Sequence, residues 1–276
     1  LLSAGASSHG ASFSTTVALA FSSASLSAPS ARGTMAPSRL SSHCGDVLWA
    51  IRLALRHLQL PPHLAAGGPS MMATSGRSMP GIESFKTEKS TKSFSVTVEA
   101  TGKSPIYLGV TISDLTIAPS PPWLQNRLRS LGLSPKNNVV DITNFILHDI
   151  GQPLHAFDLN KIEKGIIVKT VDQNTSFITL DGVKRKLDSD DLMICDHEKP
   201  LCIAGVFGGI DSGVSEKTTS IFLESAYFDP VSVRKSAKRH GLNTDASFRF
   251  ERGIDPDLPE YALKYACLLY TSPSPR

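Results

Sequence analysis

The chain lacks most of the patterns that announce a chemistry on their own. Its four cysteines, Cys44, Cys195, Cys202 and Cys267, contain no C-x-x-C pair. That argues against a zinc site or disulfide framework and fits a reducing compartment. There is no H-E-x-x-H, no cluster of acids at ligand spacing, no P-loop and no G-x-S-x-G elbow. A bound metal, a phosphate cradle and a serine nucleophile therefore have no signature here. No apolar run approaches the roughly 20 residues needed to span a membrane. Charge of one sign is missing too: 28 Lys and Arg against 25 Asp and Glu leave a net +3, too little for a general nucleic-acid binder. One local cluster stands out, Arg234, Lys235, Lys238, Arg239 and His240 on consecutive helical turns. Either a solvated helix face or a phosphate contact accounts for it.

Acids are almost absent from residues 1–82, which hold Asp46, five Arg and no Lys amid Ala, Ser, Gly and Pro. From Lys86 onward Lys outnumbers Arg and periodic apolar segments begin. The shift marks residues 1–82 as a low-complexity leader, disordered or non-native, with an organelle transit peptide as the other reading. Within it, only residues 46–60 form an amphipathic pattern, with Val47, Ile51, Leu55 and Leu58 on one face. At the far end the periodicity breaks into CLLYTSPSPR, and residues 267–276 read as an artefactual tail. The expectation is one unit over 83–266, against which neither end packs.

Inside that unit the patterns are mixed. SFSVTVEA (93–100) and YLGVTISDLTI (107–117) read as strands. SPPWLQNRLRSLGL (120–133) reads as a helix capped by Ser120, with Trp123, Leu124, Leu128 and Leu131 as its stripe and Gly132 at its end. VVDITNFILHDIG (139–151) starts as a strand edge and becomes helical near Thr143. Segments 165–171, 176–182 and 191–196 read as a β-meander, with Asp181–Gly182 as a hairpin turn. LCIAGVFGG (201–209) and TTSIFLESAYF (218–228) read as buried strands, and PVSVRKSAKRHG (230–241) as a helix between Pro230 and Gly241. Without strict βαβ alternation the class is α+β, with mixed or antiparallel sheets and packed helices.

Four dense motifs follow one another: GQPLHAFD (151–158), PLCIAGVFGGIDSGV (200–214), IFLESAYFDP (221–230) and RKSAKRHGLNTDASFRFERGIDP (234–256). With VVDITNFILHDIG before them, the set closely resembles the β subunit of bacterial phenylalanyl-tRNA synthetase, in its B3/B4 module. Agreement runs from about Ser84 to about Ala266. One departure is that Ser104, Pro105, Ile106 and Tyr107 stand where the family usually has C-P-R-Y.

In that family the module hydrolyses mischarged tyrosyl-tRNA, and the resemblance implies roles residue by residue. His155, a residue of catalytic type whose neutral imidazole handles a water proton near pH 7, matches the editing pocket beside the ester. Packing or capping is its bland alternative. Thr143 and Asn144 match polar groups that orient substrate or water, although helix capping serves Thr143 equally well. Glu224, in an otherwise apolar strand, needs a partner because a lone buried charge is costly. An Arg such as Arg249 or Arg252 would serve structurally, whereas the resemblance places the para-hydroxyl of a tyrosyl group there. Gly208 and Ala246, with Thr244 and Pro153 beside them, match small or shaping residues of the pocket wall. Asp245, Arg249, Glu251 and Arg252 read as a salt-bridged scaffold.

The resemblance further implies tRNA(Phe) and an α subunit in an α2β2 heterotetramer as partners, with no membrane and a cytoplasmic or organellar setting. ATP and Mg2+ would be used by the whole enzyme, with no cofactor and no metal held by this segment. Two other readings stay open: a free-standing B3/B4 protein that binds tRNA or an amino acid without ligase partners, and a scaffold with a dead pocket.

Overall fold

The computed structural model describes residues 15–16, 79–85 and 94–271; the amphipathic segment 46–60 lies outside them. The chain divides into a unit of Leu1–Ala24 with Gly81–Arg276 and a unit of Ser25–Pro80. Only Met79 and Pro80 of the second are described, so the architecture below is that of the first.

Its strands are β1 (Thr15–Thr16), β2 (Ser95–Val98), β3 (Ile106–Ile112), β4 (Leu154–Asp158), β5 (Gly165–Thr170), β6 (Ser176–Ile178), β7 (Lys184–Lys186), β8 (Leu192–Cys195), β9 (Pro200–Ile203), β10 (Phe207–Gly208) and β11 (Ile221–Tyr227). The helices are α1 (Pro122–Ser130), α2 (Asn138–Ile150), α3 (Pro230–His240), α4 (Asp245–Phe250) and α5 (Leu258–Thr271). One antiparallel sheet has the order β1-β3-β11-β4, a second the order β10-β9-β8-β5-β2, and β6 pairs with β7 alone. The class is α+β, as the mixed patterns indicate.

The first sheet is a wall between two cores, and β11 shows how. Phe222 and Ala226 join Tyr107 and Phe157 against Val168, Met193, Ile194 and Ile203 of the second sheet. Ile221 and Leu223 face the other way, joining Val110 and Ile112 against Leu124, Leu128, Val139, Ile142, Ile146 and Ala262 of the helices. Successive side chains of a strand point to opposite faces, and burial of both explains why this segment reads as nearly continuous apolar sequence. On β3, Gly109 leaves the space that the Phe222 ring fills, since a Cβ there would stand 2.1 Å from its Cζ.

Several local expectations are corrected. The second helix starts at Asn138, not near Thr143, because the Asn137 side chain accepts from the backbone N–H of Val139 and Val140. A side-chain cap of this kind outweighs the β-branched residues of the first turn. The first helix has Pro121, not Ser120, at its cap; the Ser120 hydroxyl donates instead to Asp141 at 2.5 Å. Leu131 lies outside the apolar stripe and is exposed. The meander is interrupted, because β5 pairs with β8 while the β6–β7 hairpin forms its own sheet. At the end of the unit, α5 runs through 266 to Thr271 with Cys267 buried and the Tyr270 hydroxyl donating to the Val139 carbonyl. From the other side, Thr15 and Thr16 pair with Ile112 and Thr111. The described residues at both ends therefore reach the fold that was expected to exclude them.

Candidate functional site

On β11, Glu224 stands between Gly109 of β3 and His155 of β4, on the face turned to the second sheet. It is 4 % exposed, in a layer otherwise apolar. Its partner is not an arginine. The hydroxyl of buried Tyr107 donates to Glu224 Oε2 at 2.8 Å, reaching across from the position opposite Ala226. Arg249 and Arg252 pair instead with Asp245 and Glu251. Burial pushes the Glu224 carboxyl up to about 8, against the opposing pull of the Tyr107 hydrogen bond. Tyr107 itself is raised well above its usual value, first by burial and then by Glu224, so it stays a donor. At neutral pH Glu224 is thus mainly a carboxylic acid, able to donate as well as accept. Its Oε1 has no hydrogen-bond partner among the described residues.

A group whose folded pKa is raised keeps a proton that the unfolded chain releases. Its contribution to stability is complete below about 4.5 and is lost as pH rises toward about 8. Glu224→Gln removes that loss while keeping an acceptor for Tyr107. In thermal unfolding at a series of pH values, its melting temperature should gain on the natural protein from about 4.5 to about 8 and then hold level. A gap independent of pH would mean that Glu224 is not protonated in the fold.

His155 is half-buried, yet its Nε2 is hidden from solvent and has no partner. Burial lowers its pKa to about 4, so the ring is neutral. Phe157 meets it edge-on at 4.4 Å between centroids. From the second sheet Gly208, paired with Cys202 on β9, comes beside the ring: a Cβ there would lie 3.2 Å from Cε1 and 3.5 Å from Nε2. Any larger residue at Gly208 would press on the imidazole.

The remaining candidates fall into two groups. Thr244 caps α4, accepting from the backbone N–H of Ser247 and donating to the Val206 carbonyl at 3.0 Å. That bond ties the half-buried Ala246, packed on the first core, to the segment ending in Gly208. Thr143 donates to the Val140 carbonyl within α2 at 2.8 Å, and Asn144 is half-buried one residue on. No hydrogen bond among the described residues links either to His155 or Glu224. Pro153 is buried at the entry to β4. The structure therefore assembles His155, Glu224 and Gly208, attaches Thr244 and Ala246 through Val206, and leaves Thr143 and Asn144 on α2.

Tyr107 is the residue that reading the sequence missed. Its inward place in an alternating strand was a weak signal, since its bond crosses 117 positions. In the basic cluster, Arg239 and His240 pair with buried Asp191, while Arg234, Lys235, Lys238 and Arg239 are exposed. Among the described residues no group of three or more His, Cys, Asp or Glu could hold a metal ion, and no helix is long and apolar enough to cross a membrane.

Comparison with known proteins adds the following. A family model described as B3/4 domain matches residues 103–272. A phenylalanine–tRNA ligase beta subunit of Bacteroides fragilis is 59% identical over 191 residues, covering 69% of this chain and 23% of that protein. The subunit of the same name from Porphyromonas gingivalis is 59% identical over 167 residues, 60% of this chain and 20% of that protein. That of Yersinia pestis is 46% identical over 175 residues, 63% and 22%. Among solved structures, an N-terminal fragment of the phenylalanyl-tRNA synthetase beta-subunit from Pyrococcus horikoshii aligns at 18% identity with a TM-score of 0.38, over 58% of this chain and 53% of that one. The chain spans about a quarter of the length of the ligase subunits it matches.

Proposed function

Since the chain belongs to the B3/4 domain family, we propose that it is a segment of a phenylalanine–tRNA ligase β subunit whose site removes tyrosine mischarged onto tRNA(Phe). The observation that carries this reading is the buried Glu224, held by Tyr107 and placed directly opposite His155. The identity to ligase β subunits supports the same assignment.

The chemistry follows from the donors present. An apolar pocket made for a phenyl ring cannot strongly reject the same ring with one added hydroxyl, so synthesis errs toward tyrosine. A second site that bonds the hydroxyl corrects the error. Tyr107 occupies Glu224 Oε2, which leaves Oε1 to meet the para-hydroxyl; phenylalanine would leave that group unpaired. His155 Nε2 accepts a proton from the water that attacks the ester carbonyl. The carbonyl carbon–oxygen bond to the terminal ribose then breaks, and the ribose oxygen takes up the proton. Asn144 and Thr143, on the helix preceding the His155 strand, supply polar groups for orienting ester or water. Aminoacylation, with its ATP and Mg2+, belongs in this reading to the partner α subunit of an α2β2 cytoplasmic enzyme.

The test is deacylation of Tyr-tRNA(Phe) and Phe-tRNA(Phe) by the full-length subunit with its partner. The natural protein should clear the first and spare the second. Glu224→Ala should cost on the order of 1–3 kcal/mol of that preference, and Ala246→Trp should close the pocket while aminoacylation continues. Equal loss of clearance for both substrates in Glu224→Ala would assign the carboxyl to the fold.

A further inference from the structure

Glu224 ends in a carboxyl that one bond keeps from turning. The last torsion of a glutamate is broad and roughly two-fold, and the side chains around this one are apolar, Phe157, Phe222 and Ala226 among them. The Tyr107 hydroxyl, at 2.8 Å, is the carboxyl's one hydrogen-bond partner among the described residues. Tyr107 is itself firmly placed. It is 3 % exposed on β3, opposite Ala226, and its ring centroid lies 6.4 Å from that of Phe228. Ala226, with a single methyl group, leaves the ring room to reach the carboxyl two positions back along β11. A phenol has one proton to donate, and Oε2 accepts it.

Fixing one arm fixes the other. A carboxyl free to turn would have to be ordered by each substrate that enters, an entropic cost set against binding. It could also turn away from a ring that lacks a hydroxyl. That would blunt the penalty on which rejection depends, a polar group left unpaired by the wrong substrate. With Oε2 occupied, neither escape is open. Oε1 meets a para-hydroxyl or goes unpaired.

We propose that Tyr107 is a positioning residue for tyrosine specificity, whose hydroxyl holds Glu224 Oε2 and thereby keeps Oε1 for the para-hydroxyl of the substrate. This deepens the editing reading and rests on it. The test is steady-state deacylation of Tyr-tRNA(Phe) and Phe-tRNA(Phe) by the full-length subunit with its partner. Tyr107→Phe removes one oxygen and keeps the ring. It should lower the preference for the tyrosyl ester about tenfold, through KM, with kcat within about twofold because His155 and its water are untouched. Glu224→Gln separates orientation from charge. Tyr107 donates, so it takes the amide oxygen and leaves the NH2 for the para-oxygen. Preference in Glu224→Gln should therefore stay within about threefold of the natural value. Adding Tyr107→Phe frees the amide to flip and should lower it about tenfold. In a Glu224→Ala background, Tyr107→Phe should change the preference less than about twofold, since a positioning residue acts through the group it positions.

If the natural protein clears Tyr-tRNA(Phe) and Tyr107→Phe keeps its preference, the assignment to Tyr107 is overturned alone. It is overturned as well if Tyr107→Phe slows both esters equally or fails to fold, either of which makes the hydroxyl a support of the fold. An effect that survives in Glu224→Ala makes Tyr107 a direct contact and also overturns it. A preference in Glu224→Gln as low as in Glu224→Ala shows that neither arm is held, and overturns it without any change at Tyr107. A natural protein that leaves Tyr-tRNA(Phe) intact overturns the editing reading and this one together.

Discussion

Replacing His155 with Ala is expected to slow Tyr-tRNA(Phe) hydrolysis by about 10²-fold or more, the usual worth of a positioned general base. The His155 ring has a hidden nitrogen with no partner, where buried polar atoms are nearly always bonded. Burial holds the ring neutral, with a pKa of about 4. In the tautomer with the proton on Nδ1, Nε2 is a free acceptor over the whole physiological range, and an incoming water supplies the missing donor. The rate should be level from about pH 5 upward and fall as the ring is protonated near 4. Preference for tyrosine should persist as Glu224 ionises near 8, because a carboxylate still accepts from the para-hydroxyl. His155→Ala should keep its melting temperature close to that of the natural protein, since no hydrogen bond of the side chain is lost. A rate within about threefold of the natural one would leave His155 as a wall of the pocket rather than a base.

The largest effect on the fold is expected far from that site, at Asp191. This carboxylate is wholly buried and is bonded by Ser236 at 2.6 Å, His240 Nε2 at 2.7 Å, Arg239 and the Asp188 backbone N–H. It ties α3 to β8. Burial opposes its charge, but the bonds from Ser236, the Asp188 backbone and His240 outweigh that, and its pKa is lowered. Asp191→Ala would leave a hidden His240 and the Ser236 hydroxyl without their acceptor. We expect a loss of about 3–5 kcal/mol in urea unfolding, the usual result of removing one member of a buried charged set. A depressed folded pKa contributes stability that is present above the unfolded value of about 3.9 and is lost as pH falls through the folded one. Acid unfolding of the natural protein should accordingly show part of its loss below about pH 4, and that part should vanish in Asp191→Ala. A loss under about 1 kcal/mol would mean that Arg239 and His240 find water or other partners.

What the sequence disclosed and what it hid divide by range. The helices α1 and α3 were legible because Pro and Gly punctuate both, and the strands carrying His155 and Glu224 because both lie in dense motifs. The start of α2 was misread because Val139 and Val140 favour strands, while the deciding contact is one side chain, Asn137. The partner of Glu224 was hidden for a different reason. Arginines lie nearby in the sequence, but Tyr107 reaches the carboxyl only through the register of β3 on β11. Burial of Asp191 escaped notice in the same way, since Ser236 and His240 meet it from a helix about 45 residues downstream.

The two-sided burial of β11 bears on how such a site can change. Residues 222, 224 and 226 face the second sheet, whereas 221, 223 and 225 are the foundation on which the helices rest. Of the first set, Glu224 alone can change without opening the packing, since Phe222 and Ala226 fill the core between the sheets. Length is the forbidden variable. Deleting one residue would turn the carboxyl toward the helices and aliphatic side chains toward His155, whereas deleting two would restore the phase. Lineages that diversify this site are thus free to swap the Glu224 side chain but are held to a strand whose count changes only in pairs.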